Sequence, residues 1–324
     1  MRRLSSAAEL WPIAGAFTIA RGSKTEAVLV VVEIFQDGRR GRGEAVPYAR
    51  YGESIESVLA HIEAVRPAIE AGAGREALQT MTGAARNAVD CALWDLEAKL
   101  SGTPAWVAAG RSRPEPVTTC YTISLGPPEA MAEAAKAAAH RPMLKLKIGG
   151  VDDLDRVAAV RAAAPTSGLV VDANEALNFE DLVRLAPELA RLDVKLIEQP
   201  LPMSEDEALA GWPSPVMLCA DESCHTRADL DRCASRYGAV NIKLDKAGGL
   251  TEALALTEQA RARGLSIMAG CMVATSLSMA PAVIIAQGAE FVDLDGPLLL
   301  ARDRDPGLTF DGSMIEPPSR ALWG

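Results

Sequence analysis

The feature that most constrains this chain is a short apolar strand followed by an alanine-rich helical segment, repeated from Val117 onward. Eight candidate strands occur, and seven of them are followed by a segment of helix length before the next strand. This repetition predicts a parallel α/β barrel. A doubly wound open sheet is the alternative, but eight regular repeats favour the barrel. The candidate strands are 119–124, 144–148, 169–173, 195–198, 217–220, 240–244, 266–269 and 291–294.

The first part of the chain has a different pattern. Residues 27–35 are rich in β-branched side chains and lead to Asp37-Gly38, a hairpin signal, after which a return strand begins near residue 42. Two helices are predicted next, over about 54–71 and 84–100. We therefore predict an α+β domain over 1–115, a (β/α)7β barrel of the TIM type over 116–298, and a tail over 299–324 that returns to the first domain.

Carboxylates stand at the ends of three successive barrel strands. Asp172, Glu198 and Asp221 are separated by 26 and 23 residues, about one strand–helix unit each. The carboxyl ends of barrel strands meet at one face, so the three side chains should lie side by side. A helix cap or an ion pair would explain any one of them, but three in register repel one another unless a hard cation such as Mg²⁺ neutralises them.

Lysines flank these acids. Lys145 and Lys147 are two residues apart on one strand, so both point to the barrel interior or its mouth. Two adjacent ammonium groups should lower each other's pKa, which predicts an amine that acts as a base near neutral pH. Lys243 ends a strand four units further round and should face Lys147 across the mouth. Lys246, in the next loop, is predicted to be structural or solvent-exposed.

The last strand carries Asp293 and Asp295, again two apart and on one face. We expect them to lie too far along the barrel from the three carboxylates to share their metal. A pair of carboxylates there would suit a substrate ammonium group. A cap on the Gly296-Pro297 turn is an alternative role for Asp295.

Composition limits the partners and the compartment. A formal net charge of −10 argues against nucleic acids and anionic membrane surfaces as partners. No segment is long and apolar enough to span a bilayer, and Glu9 and Pro12 interrupt any signal-peptide pattern. Six cysteines without metal-ligand spacing indicate a reducing environment. We expect a cytoplasmic protein. Proteins of this architecture often assemble, so a homo-oligomer is compatible with the sequence.

Taken in order, the motifs Lys-x-Lys, Asp-x-Asn, Glu-Gln-Pro, Asp-Glu-Ser and Asn-Ile-Lys resemble the muconate-lactonising subgroup of the enolase superfamily. The resemblance covers essentially the whole chain and implies a capping domain at the N-terminus. It also implies Mg²⁺, with Mn²⁺ as a substitute, on Asp172, Glu198 and Asp221. Lys147 and Lys243 would be paired bases, with Lys145 in support.

Within that subgroup, Asp293-Leu294-Asp295 is similar to the motif with which dipeptide epimerases hold the substrate ammonium. Residues 19–24 and 47–54 look like bacterial L-Ala-D/L-Glu epimerases, which act in the recycling of murein peptides. The resemblance implies substrate contacts by Arg21, Lys24, Tyr51 and Thr122, with a basic residue of the capping loop meeting the glutamate side chain.

Other functions remain open at this point. The same machinery serves N-acylamino-acid racemase, o-succinylbenzoate synthase and cycloisomerase reactions, whose substrates carry no free ammonium. From a different class, the chain could be a non-catalytic metal-binding scaffold. The presence of both lysines beside the three carboxylates argues against a scaffold.

Overall fold

The computed structural model describes residues 1–324 and begins with a three-stranded antiparallel sheet. Two helices and a single turn of helix follow, and we call this assembly the cap. Gly38 adopts a left-handed φ of 73° in the predicted Asp37-Gly38 hairpin turn. Ser54 and Ser57 cap the start of the first helix reciprocally. The cap elements are β1 (Arg3–Ile19), β2 (Gly22–Gln36), β3 (Arg39–Ala45), α1 (Ile55–Glu70), α2 (Gly83–Ser101) and α3 (Ala105–Ala108).

Eight parallel strands form the barrel, and each predicted strand is present within two residues at either end. The backbone N–H of Cys120, beside the first barrel strand, donates to the carbonyl of Val292 on the last at 2.7 Å, which closes the sheet. The closed barrel is confirmed, and the open sheet is excluded. The barrel strands are β5 (Tyr121–Ile123), β6 (Met143–Lys147), β7 (Gly168–Asp172), β8 (Val194–Glu198), β9 (Met217–Ala220), β10 (Ala239–Lys243), β11 (Ser266–Gly270) and β12 (Phe291–Asp293).

Helices cover the outside of the barrel, with one exception. The connection from β8 to β9 holds only a 3₁₀ helix, Asp206–Leu209, where a longer helix was expected. Prolines at 200, 202, 213 and 215 flank this segment and stop a longer helix from forming. The helices are α4 (Pro128–Ala137), α5 (Leu154–Ala163), α6 (Phe179–Arg191), α7 (Leu230–Ala234), α8 (Leu244–Ala247), α9 (Leu250–Ala262), α10 (Ser276–Ala286) and α11 (Gly296–Leu299).

Alternation along the strands separates an apolar floor from a polar mouth inside the barrel. Six buried apolar side chains form the floor: Cys120, Val170, Leu196, Cys219, Ala239 and Met268. Two residues further along, the same strands present Asp172, Glu198 and Asp221. Because successive side chains on one face are two residues apart, this pattern raises the charged groups to the carboxyl ends of the strands.

The tail returns to the cap. It forms the hairpin β13 (Phe310–Asp311) and β14 (Met314–Ile315), and β14 pairs with β4 (Val117–Thr118) just before the barrel. Its end then lies on α2, where the Trp323 indole donates to the carbonyl of Cys91 at 3.0 Å. None of the eleven helices has the length and hydropathy that a bilayer-spanning segment requires.

Candidate active site

The three predicted carboxylates lie together at the barrel mouth. Asp172 and Glu198 are register partners on the adjacent strands β7 and β8, and Asp221 directly follows β9. Each is at most 1% exposed. Three buried carboxylates cannot remain ionised without compensating positive charge, so the contacts of their oxygens decide how the site works.

Lys145 supplies part of that charge and joins the last strand to the cluster. Its Nζ lies 2.6 Å from Glu198 Oε2, 2.7 Å from Asp293 Oδ2 and 3.2 Å from Asp172 Oδ2. Asp293 is therefore joined to the carboxylate cluster through Lys145, closer than its place along the chain suggested, and the prediction that it does not share the metal of the three carboxylates stays a prediction. Closure brings β12 next to β5, and the Lys145 side chain spans the remaining distance.

The two lysines predicted as bases stand on opposite sides of the mouth. Lys147 ends β6 and its Nζ lies 2.5 Å from Asp172 Oδ2, while Lys243 ends β10 and its Nζ lies 2.7 Å from Asp221 Oδ2. In a closed barrel of eight strands, positions four strands apart face each other. Any group held above the carboxylates would therefore have one ammonium on each side.

The pKa of Lys145 shifts in the direction opposite to the prediction. Burial acts to lower the pKa of Lys145, but the carboxylates of Asp293, Glu198 and Asp172 outweigh it and hold that pKa well above its usual value. Asp221 and Glu198 do the same to the pKa of Lys243. The fold places more carboxylates than ammonium groups around Lys145, and their combined charge outweighs that of any neighbouring lysine.

The donor set fits a hard divalent cation. It consists of carboxylate oxygens only, from three adjacent strands, and these are the ligands that Mg²⁺ prefers. Glu198 Oε2 and Asp221 Oδ1 are buried and accept no hydrogen bond, although Lys145 and Lys246 ammonium groups lie at 2.6 and 2.7 Å. In this structure no three acidic, histidine or cysteine side chains have the spacing of a formed metal centre. The ammonium groups lie against the oxygens instead, so a cation would replace lysine contacts.

A cavity of about 1090 Å³ opens above this cluster, between the barrel and the cap. Ten of the twelve predicted site residues line it, while Asp172 and Glu198 lie deeper and contact the lysines that line it. The ten are Arg21, Lys24, Tyr51, Thr122, Lys145, Lys147, Asp221, Lys243, Asp293 and Asp295. The fold thus brings the predicted set to one place.

Arg21 and Lys24 come from the hairpin tip, the turn at residues 20–21 that joins β1 to β2 and its flanking residues. The Arg21 guanidinium is already engaged: it lies 2.7 Å from Glu222 Oε1 and donates to the Asn174 carbonyl at 2.6 Å. Lys24 makes no hydrogen bond or ion pair, and its Nζ lies 5.8 Å from the centre of the Tyr48 ring. Lys24 is therefore the hairpin-tip cation that a substrate anion could reach without breaking a hydrogen bond or an ion pair.

The two aspartates of the last strand have different environments. Asp293 has one oxygen on Lys145, and its Oδ1 is buried without a hydrogen-bond partner. Asp295 accepts the backbone N–H of Thr122 at 2.7 Å, so its side chain binds Thr122 and does not cap α11. Burial and the neighbouring Asp293 raise the pKa of Asp295 to about 7. Asp293 thus offers the free oxygen, and Asp295 is fixed behind it.

Sequence reasoning missed Glu222 and underestimated Lys246. Glu222 is 2% exposed and lines the cavity, and burial, followed by the charge of Asp221, raises its pKa to about 7. The signal was a second acid directly after a strand end, where strand alternation no longer applies. Lys246 is buried, and its Nζ donates to the carbonyls of Asp221 and Asn241, so the structural role is confirmed and solvent exposure is wrong.

Two known proteins are similar in sequence to this chain over nearly their whole length. One relative, the L-Ala-D/L-Glu epimerase of Escherichia coli strain K12, is 47% identical over 96% of this chain and 98% of its own. Another, an N-acetyl-D-glutamate racemase of a Pseudoalteromonas species, is 46% identical over 91% of this chain and 95% of its own.

Two solved structures are also similar to this chain over nearly its whole length. An enolase family member from Agrobacterium tumefaciens, described as homologous to dipeptide epimerases and bound to sodium and L-Ala-L-Glu, covers 100% of both chains with 51% identity and a TM-score of 0.98. A dipeptide epimerase from Enterococcus faecalis V583, complexed with Mg and L-Leu-L-Tyr, covers 98% of this chain and 97% of its own with 29% identity and a TM-score of 0.90.

Two family models together match most of the chain. Residues 1–109 match the mandelate racemase / muconate lactonizing enzyme N-terminal domain, and residues 129–321 match the enolase C-terminal domain-like model. The predicted resemblance is thereby confirmed: this chain belongs to the mandelate racemase / muconate lactonizing enzyme family of the enolase superfamily.

Proposed function

We propose that this chain is a Mg²⁺-dependent epimerase of dipeptides that interconverts L-Ala-L-Glu and L-Ala-D-Glu. The observation that carries the proposal is the pair Lys147 and Lys243, which end strands β6 and β10 on opposite sides of the mouth. Inversion of a carbon centre by proton transfer needs one base on each face of that carbon. A single base would exchange the proton without inverting the centre.

The proton next to a carboxylate is very weakly acidic because its removal creates an enediolate with two negative charges. Mg²⁺ held by Asp172, Glu198 and Asp221 would supply Lewis-acid stabilisation of that charge. The Lys145 ammonium, 2% exposed and held by three carboxylates, adds positive charge that is already in place before the reaction. One of Lys147 and Lys243, as the neutral amine, removes the proton, and the other, as the ammonium, delivers a proton to the opposite face. A cation on the carboxylates would take the place of the ion pairs that raise the pKa of Lys243.

Two features support a dipeptide with an acidic second residue. The buried, unpartnered Asp293 Oδ1 can accept a hydrogen bond from a free α-ammonium group. Lys24 can meet a side-chain carboxylate from the hairpin tip, although an ammonium gives a less directional grip than a guanidinium would. The names of the E. coli relative and of the A. tumefaciens complex support the same substrate. A place in murein peptide recycling and assembly into a homo-oligomer stay predictions.

Racemisation of an N-acylated glutamate is the second candidate, because the Pseudoalteromonas relative carries that name at 46% identity. The two substrates differ at the amine: a dipeptide has a free ammonium, and an N-acyl amino acid has none. We expect Asp293→Asn to lower kcat/KM for L-Ala-L-Glu by about tenfold or more, since a hydrogen bond to a charged group contributes roughly 1.5–3 kcal/mol. Turnover of N-acetylglutamate serves as the control. Equal losses on both substrates would remove the ammonium-binding role.

Deuterium exchange tests the reaction itself. In D₂O with Mg²⁺, the enzyme should place deuterium on the glutamate α-carbon of L-Ala-L-Glu and form L-Ala-D-Glu. Lys147→Ala and Lys243→Ala should each lower epimerisation by roughly 10²–10⁴-fold. Each variant should still exchange the α-proton of the one epimer whose proton faces the remaining lysine.

The exchange pattern also decides between the rival interpretations. If both lysine variants exchange the same epimer, the two-base assignment is wrong. If the wild-type protein exchanges no α-proton in any dipeptide or N-acyl amino acid tested, the non-catalytic scaffold becomes the better explanation.

A further inference from the structure

The Glu-Gln-Pro motif contains a residue that the proposed chemistry does not use. Gln199 follows Glu198 at the end of β8, is completely buried, and has a left-handed φ of 35°. A non-glycine residue rarely adopts that conformation unless its surroundings hold it there. Its side-chain contacts show what holds it.

The Gln199 side chain replaces a backbone carbonyl in the barrel ladder. Gln199 N–H donates to the Cys219 carbonyl at 2.8 Å, as expected for parallel strands. The next bond would run from the Asp221 N–H to the Gln199 carbonyl, but that carbonyl instead accepts from Glu175 N–H at 2.9 Å. Gln199 Oε1 accepts the Asp221 N–H at 2.8 Å and also the Ser223 N–H at 3.1 Å.

The amide nitrogen of Gln199 ties the same loop to a buried network. Nε2 donates to the Leu201 carbonyl at 2.9 Å, to Ser223 Oγ at 2.8 Å and to the Tyr237 hydroxyl at 3.1 Å. Ser223 and Tyr237 both donate to Asp206 Oδ2, at 2.6 and 2.9 Å. Asp206 belongs to the 3₁₀ helix that replaces an α-helix after β8, so the network links Gln199 to this connection.

We propose that Gln199 is the positioning residue for Asp221, acting through the Asp221 and Ser223 backbone N–H groups and touching no substrate atom. It fixes the direction in which the chain leaves β9, and therefore where the Asp221 carboxylate stands relative to Glu198. Groups that orient metal ligands change metal affinity by about 10–100-fold when removed. The inference rests on the proposed function in that Asp221 is taken as a Mg²⁺ ligand.

The test compares Mg²⁺ binding by calorimetry with thermal unfolding for three variants. Gln199→Met keeps the length of the side chain but cannot accept the hydrogen bonds from the Asp221 and Ser223 N–H groups. The side chain in Gln199→Asn is too short to reach these N–H groups. Both should weaken Mg²⁺ binding by about 10-fold or more. Tyr237→Phe is the control, because it removes a partner of Nε2 but leaves both bonds to the loop. It should lower the unfolding temperature while Mg²⁺ affinity stays within about twofold.

The turnover rate of the Gln199 variants is a second measurement. Activity of the Gln199 variants should recover at saturating Mg²⁺, because the defect lies in ligand placement. Mg²⁺ affinity within twofold of wild type in either folded Gln199 variant, or an equal loss of affinity in Tyr237→Phe, would overturn the proposal. The proposed function fails separately: wild-type protein that binds Mg²⁺ and exchanges no α-proton contradicts epimerisation and still allows the Gln199 test.

Discussion

Asp245 is a buried carboxyl group between the cap and the barrel. It lies in α8, is 3% exposed, and accepts hydrogen bonds from Val46 N–H at 2.8 Å and the Asn87 amide at 3.0 Å. No lysine or arginine contacts it. Burial, with smaller effects of Glu53 and Glu44, raises its pKa from 3.8 to about 7. The group is therefore protonated in the folded protein over a pH range in which the unfolded chain is ionised.

This shift predicts a pH-dependent gain from Asp245→Asn. The folded protein holds the Asp245 proton more tightly than the unfolded chain does. The stability that this proton contributes is therefore complete below pH 3.8, and it is lost as pH rises toward 7. The asparagine variant keeps both accepted bonds and cannot ionise. Its free energy of unfolding should exceed that of wild type by more at pH 8 than at pH 5, as urea unfolding would measure. Asp155→Asn, at an exposed position, is the control. A gain of the same size at both pH values would contradict the assignment.

At the scale of residues, sequence reasoning found the groups at strand ends and missed those placed by loops. Lys147, Asp172 and Glu198 follow from alternation, because the strand fixes where each side chain points. Glu222 could not be placed in this way, since the chain has already left the strand at Ala220. The pKa of Lys145 depended on Asp293, whose proximity follows from barrel closure and is invisible in sequence separation.

Two arginines of the cap dock on one barrel loop after β7. Arg50 binds Glu175 through two hydrogen bonds of 2.8 Å each, and Arg21 donates to the neighbouring Asn174 carbonyl. Asn174 and Glu175 both have positive φ, 45° and 68°, which turns this loop toward the cap. These contacts hold the hairpin tip and the segment around Tyr51 over the cavity.

Removing this contact should affect substrate binding more than the chemical step. For Glu175→Gln we expect KM for L-Ala-L-Glu to rise by roughly 5- to 30-fold, the factor for 1–2 kcal/mol, with kcat nearly unchanged. Glu258→Gln is the matched control: that carboxylate pairs with Arg111 at 2.8 Å but is 67% exposed, whereas Glu175 is 7% exposed. Exposed pairs contribute little. A similar KM for both variants would show that the cap is held by other contacts.

Strands and helices with a clear apolar pattern were predictable from the sequence. A strand that depends on its pairing with a neighbouring strand was not. The barrel strands and the helices α1 and α2 have strong apolar patterns and were predicted closely. The 17-residue strand β1 was missed, because alanines, Pro12 and Gly15 give it weak strand propensity. Its pairing with β2 along most of its length supplies the stabilisation that its own sequence does not indicate.

The cap and the barrel are joined at the scale of the whole molecule by the returning tail. Arg304 bonds to Glu9 and Glu44 of the cap strands and to Thr275, the N-cap of α10, and Glu44 is completely buried. Further along, Arg42 donates to the Leu322 carbonyl at 2.8 Å and the Gly324 N–H donates to Asp95 at 2.8 Å. The tail is thus a link between the two parts that enclose the cavity.

Trp323 is the largest side chain among these tail contacts, and its removal should lower the stability of the whole molecule. The side chain is 2% exposed and its indole N–H donates to the Cys91 carbonyl, so Trp323→Ala leaves a cavity and removes this hydrogen bond to α2. We expect a loss of about 3–5 kcal/mol in the free energy of unfolding, measured by urea. Met314→Ala, in the same tail but 38% exposed, should cost much less. If the two variants unfold at the same urea concentration, the tail does not hold the cap in place.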